Sequence, residues 1–358
     1  MTGGADASRA SRPVGGLAAV LVAAGVWGTT GTATHFAPGV PAFVFGAVTF
    51  GLGGIVLALG AGRGTLRAVA DPASRRWALL GAASLVVYAV AFYAALADAG
   101  VALGTTVAIG SSPVFAGLVE WVADGRRVTR KWVVATLVSV VGMVVVTLAR
   151  SSEHAGASGG SDRDGSLVLG LGSALLAGLT YALYSWAVAR GMRAVSVPVA
   201  LPGGVSLPAR ASLPGRGSLP ARASLPARAS LPGRASPPAR ASLPGERGLV
   251  GAVFGLAAVP LVVLAVVGGQ ASLGVAANWP VFLYLALVPT VLGHSLYAVG
   301  LRSVSASVAT LLSLFEPVVA AVLAVLVVGE HLGAGGWVGI GLVVVGLAVL
   351  AVPERTRA

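Results

Sequence analysis

Ten runs of apolar residues, each long enough to cross a lipid bilayer, leave this chain few folds to adopt. A spanning helix needs about 20 consecutive apolar residues, because inside lipid every backbone N–H and C=O must be satisfied within the segment itself. The runs cover 15–36, 41–61, 77–97, 101–123, 132–149, 166–189, 248–268, 279–300, 304–328 and 335–352. Only 10% of the residues are charged and the mean hydropathy is +0.90, where a soluble chain carries about 25% charged residues. A soluble core is excluded, and an all-α integral membrane protein follows. The net charge of +12 does not point to nucleic acid, because the arginines crowd the ends of apolar runs. The chain has no cysteine, which excludes disulfides, thiolate chemistry and cysteine-based metal sites. Arg9 and Arg12 precede the first run as they would in a signal peptide, but that run is long enough to span and reads as an uncleaved helix.

The basic residues orient the ten spans. With the N-terminus in the cytoplasm, 22 of the 24 lysines and arginines fall on the cytoplasmic side, leaving only Arg150 and Arg163 outside. Seven of the 22 belong to one arginine-rich segment, 202–247, and without it the split is still 15 to 2. Such a bias fixes orientation by the positive-inside rule. The expectation is a multi-pass protein of the cytoplasmic membrane with both termini inside.

The second half repeats the first. Pro317, Gly329 and Gly346 lie 204 residues after Pro113, Gly125 and Gly142, and Tyr297 and Ala306 follow Tyr93 and Ala102 at the same offset. Tyrosine and proline are rare here, so a shared register is informative. Five spans per half is an odd number, so the halves must insert upside down relative to each other. Inverted repeats are a plan of secondary transporters, with the substrate site near midplane between the halves. The expected architecture is therefore ten transmembrane helices as two inverted five-helix repeats, residues 1–150 and 166–352.

Residues 202–247 interrupt the second repeat with a six-residue unit, roughly Leu-Pro-Ala/Gly-Arg-Ala-Ser. A proline and usually an arginine per unit cannot span a membrane, and proline in each turn argues against a β-helix. The segment reads as a disordered, partly polyproline-II cytoplasmic insert, either a neutral expansion or a basic tether to anionic lipid. Val197 to Leu201 reads as the start of a helix that resumes near Gly248.

Polar groups inside the membrane are costly and mark candidate sites. Glu316 is the sharpest: it lies mid-span, directly before Pro317, where a carboxylate must face a water-filled cavity or carry a proton. Its counterpart, Ser112, also precedes a proline, Pro113. Each proline is expected to kink its helix and release a carbonyl one turn earlier, at Ile109 and Ser313, as an acceptor for substrate or ion. His294 lies about 10 Å from the level of Glu316 at 1.5 Å rise per residue, and is either a gate or proton relay or a packed histidine. Trp27, Tyr88, Tyr93, Tyr181, Tyr184 and Tyr297 lie within spans and either line a cavity or pack. Glu120 reads as interfacial, and Trp77, Trp121, Trp132, Trp279 and Trp337 read as an aromatic belt. No catalytic constellation, metal-ligand spacing or nucleotide motif stands out, so neither an enzyme nor a cofactor is expected. The partners expected are the bilayer, a small-molecule substrate and a coupling proton, with a channel or a membrane scaffold as the alternative.

Several motifs carry a resemblance. They are Val26-Trp27-Gly28-Thr29, Ser112-Pro113-Val114-Phe115, Tyr181-Ala182-Leu183-Tyr184, Leu296 to Leu301, and Glu316-Pro317-Val318 followed by Val328-Gly329-Glu330. Together they resemble the EamA-type transporters of the drug/metabolite transporter superfamily. The resemblance implies ten helices in two inverted repeats, and export of amino acids, related metabolites or toxic compounds. Two departures stand out: Gly125-Arg126 replaces the family's usual Gly-Glu, and Phe45-Gly46-Ala47 stands where the family often has an arginine.

Overall fold

In a computed structural model, the chain is described over residues 4–154, 164–195, 199–200, 206–207, 244–329 and 331–352. Ten helices among these are long and apolar enough to span: α1 (Gly15–His35), α2 (Ala42–Ala61), α3 (Pro72–Ala99), α4 (Leu103–Asp124), α5 (Arg130–Ala149), α6 (Leu167–Ala194), α7 (Arg247–Gly268), α8 (Ala276–Leu301), α9 (Ala306–Val328) and α10 (Ala334–Ala351). Two outlast the apolar pattern. α3 starts five residues early because Pro72 suits a first turn and Asp71 caps it, accepting from the Ala73 N–H at 3.2 Å. α6 continues to its arginine-bearing end, where Arg190 lies 3.0 Å from Asp124.

Close contacts sort the helix ends onto two faces. A Cβ on Gly16 at the start of α1 would strike Ser303 after α8, and one on Gly248 would meet Gly64 O at 2.4 Å. The Trp77 ring at the start of α3 meets that of Trp186 near the end of α6, and Lys131 donates to Val352 O. All of these flank the arginine-bearing links. On the opposite face, Gly170 at the start of α6 lies against Ala99 at the end of α3, and Gly268 at the end of α7 lies against Phe43. The alternation expected from the arginines is thus present in three dimensions.

The pseudo-symmetry shows at one crossing. A Cβ on Gly142 of α5 would lie 2.7 Å from Gly339 O of α10, and one on Gly346 would lie 2.8 Å from Ala135 O. Exchanging residues by the offset of 204 turns the pair 142 and 339 into 346 and 135, so the crossing maps onto itself. Gly125 and Gly329, also paired by the offset, both follow their helices with positive φ, +66° and +80°, where a side chain would be strained. The fold is two helical repeats.

Most of the insert, and Glu330, lie outside the described residues. At its start Val199–Ala200 pairs antiparallel with Ser206–Leu207, so the expected helical start is extended. The seventh helix begins at Pro244.

Candidate functional site

A cavity of about 1350 Å³ runs from the middle of the bundle to the face opposite the arginine-rich links. Its deep wall carries Trp27, His294, Tyr181, Ser313 and Glu316; Thr34, Val40, Asp98, Gly100 and Leu103 lie at its mouth. None of the described lining residues is a lysine or an arginine.

The Trp27-Gly28 pair builds the deep end from α1. Trp27 Nε1 donates to Pro289 O of α8 at 2.9 Å, and its ring centroid lies 4.8 Å from that of His294. Gly293 makes room, since a Cβ there would sit 2.5 Å from Trp27 Nε1. Gly28 then lets the α1 backbone approach α9, where a Cβ would lie 2.8 Å from Glu316 O. Two adjacent residues thus set α8 and α9 against one helix.

α8 departs from α-helical geometry here. Residues Ala286–Gly293 form π-helical turns around Pro289, a distortion that occurs often at functional sites. The carbonyl that Pro289 releases, Leu285 O, accepts from Thr290 Oγ1 at 3.2 Å. His294 Nδ1 lies 3.1 Å from Thr290 O. A carbonyl can only accept, so Nδ1 carries the proton and Nε2 is the acceptor of the ring.

α9 breaks at Ser313–Leu314, and a new helix starts with Phe315 and Glu316. Glu316 is half-buried, lines the cavity, and its carboxylate makes no hydrogen bond or ion pair among the described residues. Aromatic rings surround the space: Tyr88 is 5.3 Å from Tyr181, 5.6 Å from Phe92 and 6.3 Å from Phe50. Tyr93 reaches the wall because α2 has glycine opposite it; a Cβ on Gly46 would lie 1.8 Å from the Tyr93 ring. An arginine in that stretch could not occupy position 46 without displacing the tyrosine.

Of the residues singled out from the sequence, Glu316, Trp27, Tyr93, Tyr181 and His294 line the cavity, and so does Pro317. Ser112 and Tyr297 do not. Both are fully buried. The Ser112 hydroxyl donates to Ile109 O at 2.8 Å, and the Tyr297 hydroxyl pairs with Ser185 Oγ at 2.9 Å behind the wall. The expectation of two freed carbonyls is also corrected. Ser112 fills the one released by Pro113, which sits inside a continuous helix. Ser313 O accepts from the Glu316 N–H at 2.9 Å, because the helix tightens instead of leaving a gap. His294 and Glu316 share the cavity without bonding to each other.

Two readings at the arginine-bearing end change as well. Glu120 is not interfacial: it is 3% exposed, and its carboxylate accepts from the Ala306 N–H at 2.8 Å and from Ser307 Oγ at 2.6 Å. Trp132 is not a belt residue; it is buried and donates to Ser307 O at 3.0 Å. Trp121, Trp279 and Trp337 are exposed, as a belt requires. Phe50, Phe92 and the hydroxyl pair of Thr106 and Thr147 belong to the cavity region without having been singled out. Only the threonines carried a signal, as polar residues inside spans.

Comparison with known proteins agrees with this geometry. Residues 14–148 and 248–352 match the model of the EamA-like transporter family. The chain is 28% identical over 345 residues to an uncharacterized transporter, YwfM, of Bacillus subtilis (strain 168), covering 94% of each chain. A protein crystal structure that is 20% identical superposes with a TM-score of 0.63 over 96% of both chains, a likeness of fold.

Proposed function

The chain belongs to the EamA-like transporter family, and from that premise we propose a secondary transporter of the bacterial cytoplasmic membrane that exports small metabolites by alternating access. The substrates are amino acids, related compounds or drugs. The observation that carries this reading is the cavity itself. It reaches mid-bundle, opens to one face, and ends at a carboxylate with no hydrogen-bond or ion-pair partner among the described residues. A channel would need a second opening through the arginine-bearing end, where Glu120, Asp124 and Trp132 tie helices together. Trp27, Tyr93, Tyr181 and His294 form the wall against which a substrate packs. Glu316 binds the coupling proton or a cationic group of the substrate, since no lysine or arginine competes for it among the described lining residues.

The test begins with a thermal-stabilisation screen of the purified protein against amino acids, nucleosides and cationic drugs, followed by transport of any hit in proteoliposomes. Glu316→Gln keeps size and hydrogen bonding but removes titration. The variant should reach wild-type membrane levels and lose the pH dependence of transport. Wild-type rates with an unchanged pH profile would show that the carboxylate plays no part in coupling.

A further inference from the structure

The end of the cavity that is shut is held by bonds between the two repeats, and the side chains that make them are not repeated at the end that is open. Glu120 of α4 uses both carboxylate oxygens, one on the Ala306 N–H at 2.8 Å and one on the Ser307 hydroxyl at 2.6 Å. These are the first two residues of α9, and a helix start has backbone donors without partners inside the helix. Trp132 of α5 adds a bond to Ser307 O at 3.0 Å. Four residues after Glu120, Asp124 accepts from Trp186 Nε1 of α6 at 3.0 Å and pairs with Arg190. Helices α4 and α5 belong to the first repeat, α6 and α9 to the second. The repeats cannot separate at this end without breaking all of these contacts, of which those of Glu120 and Trp132 are buried.

Inverted symmetry lets the opposite end be examined residue by residue. The offset of 204 carries Glu120 to Ala324, Asp124 to Val328 and Trp132 to Gly336; it carries Ala306 and Ser307 back to Ala102 and Leu103. At the mouth of the cavity, the helix that continues into α4 starts after Gly100, a cap residue with no side chain to offer. The carboxylates of Glu120 and Asp124 are thus replaced by Ala324 and Val328, and the carboxylate at the mouth, Asp98, stands at a different register. The repeat carries this latch at one end and does not reproduce it at the mirror position.

We propose that Glu120 is the positioning residue of a one-sided latch, which holds the arginine-bearing end shut and sets the cavity open to the other face as the resting state. The proposal rests on alternating access, and it adds which of the two states is favoured and by which side chain. Glu120 touches no part of the cavity, so its effect on transport is exerted through the equilibrium between states.

The absence of cysteine makes the test direct. Spin labels are placed in pairs on the full chain in nanodiscs, Arg127→Cys with Ser303→Cys at the latched end and Ala42→Cys with Leu167→Cys at the mouth, so that each pair has one label in each repeat. All four positions are exposed. In the otherwise wild-type chain the dominant population should have a short distance across the latched end and a long one across the mouth. Glu120→Ala should move the ratio of populations at least tenfold, lengthening the first distance and shortening the second together. Ser307→Ala removes one of the two bonds and should give a smaller shift in the same direction, which keeps the test open if Glu120→Ala folds poorly. If both populations are present and neither variant changes their ratio, the latch is refuted and alternating access stands. If both distances merely broaden, Glu120 is a stability residue and the latch is again refuted. A single fixed state in every variant, with and without a transported substrate, would overturn the latch and alternating access alike.

Discussion

At the scale of single residues, the polar groups of this bundle divide by what they are bonded to. The hydroxyls beside Pro113 and Pro289 are spent on the carbonyls those prolines release. A released carbonyl in lipid or in packed protein carries an unmet hydrogen bond, so a neighbouring Ser or Thr that supplies it is structural. Glu316 differs because nothing among the described residues satisfies its carboxylate. Ser112→Ala is therefore expected to lower stability by about 1–3 kcal/mol, the cost of leaving a buried acceptor unmet, and to leave the substrate affinity and pH dependence of transport unchanged. Thermal unfolding and transport of the same sample check this; a changed affinity would put Ser112 back in the site.

Elements show why much of this was legible and some was not. The number of helices, their approximate limits and the repeat could be read because lipid imposes length, and because Pro317, Gly329 and Gly346 repeat Pro113, Gly125 and Gly142 in one register. Glu316, Trp27, Tyr93, Tyr181 and His294 could be read as polar or aromatic groups at mid-span. What could not be read is which face of each helix they occupy. Glu120 and Trp132 lie near an interface by counting residues, yet α9 starts beside them and buries both. The same holds for Ser112 and Tyr297, whose partners Ile109 O and Ser185 turn them away from the cavity. Spacing along the chain does not encode the rotation of a helix. The crossing of α5 and α10 is where the repeat makes a quantitative demand. Gly142 and Gly346 meet opposite backbones at 2.7 and 2.8 Å from a Cβ, so Gly142→Ala and Gly346→Ala should destabilise by similar amounts. Overpacking of this kind costs about 1–3 kcal/mol. Matched losses of thermal stability are expected; a large loss from one and none from the other would mean the crossing is not symmetric in energy.

For the whole molecule, the packing decides which helix ends share a face, and the arginines are the ground for proposing that their face meets the cytoplasm. Contacts between Trp77 and Trp186, Gly64 and Gly248, and Lys131 and Val352 put the starts of α3, α5 and α7 and the ends of α6 and α10 on one face. The links at that face carry nearly all the basic residues, and retention of such links inside the cell is the physical basis of the positive-inside rule. The cavity mouth, with Asp98 and Gly100, lies at the other face. With the arginine-bearing face in the cytoplasm, as proposed, the cavity would face outward, where an exporter would release its cargo. Reporter fusions after Arg76, Arg130 and Arg302 should report the cytoplasm, and one near Gly274 the outside. A single cysteine at Ala97 should react with a membrane-impermeant maleimide added to intact cells. Cytoplasmic reports at Gly274, with Ala97 labelled only after lysis, would reverse the orientation. The cavity would then open to the cytoplasm, and the latch would shut the outer side.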